Sequence, residues 1–277
     1  MKKLYLIFAM LIAAGASAQI KIPTNPIKVK FSWLRDTVNH RSEPYSAMLI
    51  PVKLEGCPKV FYMQFDLGAP HSMFYTRQTK TILAKYPKTD TSAFIIAKGH
   101  DEHPEIIGTL GEDLIDGRTL VIDYPRRVLT VTDSLPATAP SAQMSSFMLM
   151  KGSILLPALL HNKQAILFFD TGSSAFELLT SKSTSDQLAV PNAATESYSV
   201  NSWGRMLTAN TRPTGDSLTM ASLKIPIKKV TYIEGASDSQ VQQMLKLGIG
   251  GMIGNKLFIS AVLVLDTRHK KMALIAR

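Results

Sequence analysis

The sequence predicts an all-β chain of two homologous lobes, on three observations. A pattern of apolar run, Phe-Asp-x-Gly, short polar turn and second apolar run occurs twice, at residues 59–75 (KVFYMQFDLGAPHSMFY) and 163–179 (KQAILFFDTGSSAFELL). A second pattern also occurs twice: Gly108, Gly111, Leu114 and Asp123 recur in register as Gly251, Gly254, Leu257 and Asp266. The segments between these marks are short, apolar and divided by turn residues, as strands are.

In chain order, residues 1–18 stand outside the fold. Lys2 and Lys3 give a basic start, 4–14 is an apolar run, and Ala16-Ser17-Ala18 has the small-x-small form of a cleavage site. The segment reads as a secretory signal peptide. Its apolar run is shorter than the roughly 20 residues a spanning helix needs. The expectation is export, to the periplasm or the outside, with no membrane anchor after cleavage.

Each lobe then opens with a hairpin. Residues 48–54 (MLIPVKL) resemble 154–160 (ILLPALL), and each leads into the run that ends at Asp66 or Asp170. Asp and Gly are turn residues, so 66–69 and 170–173 read as tight turns. Gly68 and Gly172 are expected there at positive φ, which a side chain would disfavour. Helices are few, with 76–86 and 237–247 as the candidates. Two polar segments are candidate cleft covers: 94–105, with the tip Lys98-Gly99-His100-Asp101, and 201–205, which carries Trp203.

The copies differ in length. Asp66 and Gly111 are 45 residues apart, Asp170 and Gly254 are 84 apart. The extra residues, including 198–206 and the alternating 218–233, are expected as surface hairpins. Asp123 and Asp266 end apolar runs before charged turns and read as strand-end residues. Residues 134–146 (SLPATAPSAQMSS) have linker composition. The predicted organisation is a first lobe at 19–134 carrying Asp66, a linker at 135–146 and a second lobe at 147–277 carrying Asp170.

Composition excludes several classes. The lone Cys57 permits neither an internal disulfide nor a multi-cysteine zinc site. The net charge is +10, but the basic residues are scattered and their densest groups, 126–127 and 268–271, are short turns. No nucleic-acid partner is expected. His100, Asp101, Glu102 and His103 match no metal-ligand spacing. There is no P-loop, dinucleotide fingerprint or EF-hand, and no nucleophile elbow around Ser72, Ser173 or Ser174. No metal or cofactor is expected.

The segment Phe169-Asp170-Thr171-Gly172-Ser173-Ser174, followed by Met252-Ile253-Gly254, resembles the active-site lobe of the aspartic peptidase family. Phe65-Asp66-Leu67-Gly68-Ala69 with Thr109-Leu110-Gly111 is a looser copy. The likeness covers nearly all of the chain after residue 18, and the short lobes are nearer the retropepsin-like than the pepsin-like branch. It implies two β-barrel-like lobes around a cleft in a bacterial exported form, with Asp66 and Asp170 as the catalytic pair. It further implies that the strands ending at Gly111 and Gly254 brace the turns, that Thr171 crosses to lock the lobes, and that a monomer acts on a polypeptide.

Two adjacent carboxyls cannot both ionise easily, so they share a proton and divide the work of base and acid. The sequence departs from the family at Leu67, which lacks the hydroxyl of Thr171, and at Ala69, where the other copy has Ser173. Ser173 can donate to Asp170, so Asp170 is expected to be the more ionised partner and Asp66 the holder of the proton. The same departures leave a second reading open: a catalytically inactive lobe pair that binds peptide or glycan.

Overall fold

The structure, a computed structural model, describes residues 20–38, 41–99, 101–135, 144–150, 152–202, 205–235 and 248–276. It is an all-β, two-lobed protein. Three sheets hold the strands, and the described residues contain two short α-helices, Thr76–Lys85 and Lys182–Leu188. The first was expected. The second starts where the Ser181 side chain accepts from the Thr184 N–H, a local cap inside a polar stretch that shows no apolar period. The helical candidate at 237–247 lies outside the described residues.

A central sheet joins the lobes. Ala261–Asp266 is buried along its whole length and pairs antiparallel with Thr119–Asp123 of the first lobe. Val264 stands opposite Val121, its own counterpart in the repeat, so an approximate two-fold axis passes between them. Val128–Thr132 and Ile27–Lys30 extend the sheet on one side. Lys271–Ala276 and Ser145–Ser146 extend it on the other. Ser145–Ser146 were expected in the linker. They instead form the edge strand matching Ile27–Lys30, because Lys271 and Met272 offer them a free ladder edge.

Each lobe repeats one device around its Asp. In the first, Val60–Phe65 runs parallel to Ile106–Leu110, with Phe65 opposite Leu110 and a register slip between Tyr62 and Met63. In the second, Lys163–Phe169 runs parallel to Ile249–Ile253, with Phe169 opposite Ile253 and the slip between Ile166 and Leu167. The slip falls four residues before each Asp. After the Asp turn, the chain returns antiparallel on the far edge of the same strand, as Met73–Phe74 or Leu178–Thr180. The added hairpins of the second lobe extend the sheet at both ends. Glu196–Ser202, Arg205–Pro213 and Lys229–Glu234 lie beyond Leu178–Thr180, and Ser217–Met220 with Leu223–Pro226 lies beyond Leu159 and Leu160.

One apolar core runs through both lobes, including Phe65, Leu67, Ile122, Phe169 and Leu263. A smaller cluster with Phe168, Val200, Ala209 and Met252 lies on the opposite face of the second lobe's sheet. Neighbouring side chains on a strand point to opposite faces. Burial of both Phe168 and Phe169 therefore explains why this strand reads as a continuous apolar run rather than an alternation.

The first candidate cover is corrected. Ile95–Ile96 pairs with Val52 and Lys53, and the Tyr62 N–H donates to the Glu105 carbonyl, so the ends of 94–105 are tied along the first lobe's sheet instead of rising as a hairpin. Free ladder groups along that sheet satisfy a backbone that a protruding loop would leave to water.

Gly251 lies where a Cβ would come within 2.5 Å of the Leu179 carbonyl oxygen. Gly251→Ala is expected to force these strands apart and cost about 3 kcal/mol or more. Gly215→Ala, with nothing within 4 Å of its Cβ position, should stay within about 0.5 kcal/mol of wild type. Thermal melts of the two variants check this.

Candidate active site

The two Asp turns are built alike. The strand carbonyl of Leu110 accepts the Asp66 N–H, and that of Ile253 accepts the Asp170 N–H. The Gly68 N–H donates to Asp66 Oδ1 at 3.0 Å and the Gly172 N–H to Asp170 Oδ1 at 2.8 Å. Neither glycine takes the positive φ expected from the sequence. Their role is close approach: a Cβ on Gly68 would sit 2.5 Å from Asp170 Oδ1, and one on Gly172 would strike the Asp66 carboxyl. Each carboxyl is packed against the other lobe's glycine. Gly111 and Gly254 do the same beneath the turns, where a Cβ would strike the carbonyl of Ala69 or Ser173.

This interleaving buries the Asp66 and Asp170 carboxyls close together, each against the other lobe's turn glycine and both at 0% exposure. Burial pushes Asp66 well above its usual value, and the Asp170 charge pushes the same way. Burial also raises Asp170, but hydrogen bonds from Asp66, Ser173 and the Gly172 amide oppose the rise. Asp66 Oδ2 meets no donor among the described residues. A proton held on the Asp66 carboxyl would let it donate to Asp170. The Ser173 hydroxyl lies 2.9 Å from Asp170 Oδ2, whereas Ala69 has no side-chain donor and gives Asp66 only its N–H.

The lobes are locked from one side. The Thr171 hydroxyl donates to the Phe65 carbonyl at 3.0 Å and accepts the Leu67 N–H at 2.8 Å. Leu67 makes no return bond with its side chain, which lies in the common core at 0% exposure. Trp203 lies outside the described residues. Asp123 and Asp266 are strand ends, accepting the N–H of Arg126 and His269 in the following turns.

Three features escaped the sequence reading. Tyr124 and Asn255 support the Asp170 turn from below: the Asn255 amide donates to the Thr171 carbonyl and the Ser174 hydroxyl, both at 3.0 Å, and its Oδ1 accepts from the Tyr124 hydroxyl at 2.7 Å. Asn255 directly follows Gly254, so its place was the available signal. The matching position in the first lobe is Glu112, a buried carboxyl raised to about 7 by burial and by Asp116 and Asp113. The third feature is a cavity of about 180 Å³ between the lobes beyond the Asp170 turn. It is lined in part by Glu43, Pro44, Phe176, Tyr198 and Lys256, and neither Asp66 nor Asp170 is part of its wall. The Glu43–Lys256 ion pair, at 2.6 Å, ties the lobes together there.

A carboxyl whose folded value is raised contributes stability that is complete below its unfolded value and lost as pH rises. For Glu112 that window runs from 4.5 to about 7. Glu112→Gln is therefore expected to match wild type at pH 4 and to exceed it at pH 8, by on the order of 2 kcal/mol. Denaturant melts at the two pH values check the sign.

No family model and no curated protein matches this chain. Among solved structures it is similar to the aspartic proteinase from Irpex lacteus, at a TM-score of 0.48 and 8% identity, over 91% of this chain and 97% of that one.

Proposed function

We propose that this chain is an exported peptidase of the aspartic type, in which Asp66 and Asp170 activate water between the lobes. The observation that carries the reading is the pair of buried carboxyls, one from each of two equivalent turns, each packed against the opposite turn's glycine. Such a pair holds one proton and one charge at neutral pH. Asp170, with its donors, is the base, and Asp66 is the acid. Water oxygen attacks the peptide carbonyl carbon as Asp170 takes a water proton and Asp66 protonates the carbonyl oxygen. The C–N bond of the resulting diol then breaks. Asp170 passes its proton to the leaving nitrogen, while a diol hydroxyl returns one to Asp66. Leu67 is compatible with this chemistry, because its N–H rather than its side chain meets Thr171.

A second reading has an observation of its own. Both carboxyls are fully buried, and the inter-lobe cavity lies apart from them. That arrangement favours a catalytically silent lobe pair that binds peptide or glycan. Hydrolysis requires a movement that admits water and substrate to the dyad.

Cleavage of a mixed peptide library across pH 3–8 separates the readings. Activity requires Asp170 ionised and Asp66 protonated. Since both are raised above the ordinary value of 3.8, the active window should lie above it. Asp66→Asn and Asp170→Asn should each lower kcat by about 100- to 10,000-fold. A folded wild-type protein that cleaves nothing in this range would transfer the conclusion to the binding reading.

A further inference from the structure

Among the described residues, the Thr171 hydroxyl is the single side-chain hydroxyl that crosses between the two turns, because Leu67 supplies none. One hydroxyl fixes the Thr171 side chain but leaves its peptide to be held by something else. The Asn255 amide does so, by donating to the Thr171 carbonyl and the Ser174 hydroxyl. These two contacts bracket Gly172 and Ser173, whose N–H and hydroxyl hold the Asp170 carboxylate at 2.8 and 2.9 Å. The orientation of the amide is set in turn by Tyr124, whose hydroxyl donates to Asn255 Oδ1 at 2.7 Å. A flipped amide would face the Thr171 carbonyl with its own oxygen.

Tyr124 comes from the first lobe, and its ring is clamped. It stacks on Trp33 at 6.4 Å and 10° and on Phe258 at 6.3 Å and 27°. Burial keeps its hydroxyl protonated, since the pKa is pushed well above the usual 10. Among the described residues, the other lobe has no such relay. Thr267 stands at the place of Tyr124 and donates to the carbonyls of Ile115 and Arg118, while Glu112 stands at the place of Asn255.

We propose that Tyr124 is a positioning residue for the Asp170 turn, substituting through Asn255 for the cross-lobe hydroxyl that Leu67 lacks. The inference rests on the dyad reading above. With the Tyr124 hydroxyl gone, Asn255 can rotate, the Thr171–Ser174 bracket loosens, and Asp170 loses the donors that favour its charge.

The test is a double-mutant cycle of Tyr124→Phe and Leu67→Thr, read by carbon-13 titration of the Asp carboxyls in the full mature chain. Resonances are assigned with the Asp66→Asn and Asp170→Asn variants. Tyr124→Phe keeps both ring stacks and should move the Asp170 titration upward by about half a pH unit or more. If the chain cleaves peptide, kcat should fall about tenfold with KM unchanged, and the acid limb of the profile should move the same way. Adding Leu67→Thr should restore most of the shift. Asn255→Ala removes the amide that the Tyr124 hydroxyl orients, without touching the rings, and should reproduce the Tyr124→Phe shift. A Tyr124→Phe titration that overlays wild type, or a shift of equal size with and without Leu67→Thr, would overturn the proposal. Because the titration needs no substrate, a chain that cleaves nothing refutes the peptidase reading while the relay is still decided.

Discussion

Two carboxyl groups removed from water and pressed together cannot both stay ionised, and the centre of this protein is arranged around that constraint. Gly68 and Gly172 bring Asp66 and Asp170 together by offering no Cβ where the opposite carboxyl lies. The pair has an ordered inequality, because Asp170 has Ser173 and Asp66 faces Ala69. Burial raises both groups, and the donors decide which of them carries the charge.

Holding such a pair requires rigidity in the backbone beneath it. The parallel strands that end at Asp66 and Asp170 are fixed to their neighbours with the same register slip in each lobe. The central sheet then fixes lobe to lobe through Thr119–Asp123 and Ala261–Asp266, with Val121 and Val264 at the two-fold axis. Above that sheet the lobes are tied unequally. The Thr171 hydroxyl, the Tyr124–Asn255 contact and the Glu43–Lys256 ion pair each act at or near the Asp170 turn. The second lobe, with its extra hairpins and second apolar cluster, holds the better-supported half of the pair.

Much of this was legible in the sequence because it is written in repeated patterns. The Asp-x-Gly turns, the Gly strands beneath them and the strand-end Asp123 and Asp266 all stand in register across the copies. Features without a repeat were not legible. The glycines were identified, but a turn alone does not reveal whether a glycine serves its own φ or a neighbour's carboxyl. Ser145–Ser146 carry linker composition, and only the ladder edge at Lys271 and Met272 makes them a strand. Tyr124 aligns with Thr267 and Asn255 with Glu112, so comparing the copies conceals the relay: these residues matter because they differ. The 94–105 segment looked like a hairpin because its tip is polar, whereas its pairing partner, Val52–Lys53, is remote in sequence.

In the proposed site, Asp66 and Asp170 lie in contact and share one proton. Neutron diffraction from crystals of residues 19–277 at neutral pH would reveal that proton. A single deuteron is expected between the two carboxyls, carried by Asp66, with the carboxyls at hydrogen-bond distance. Carboxyls standing further apart than the width of a water, or a contact pair with no deuteron between them, would mean that no proton is shared.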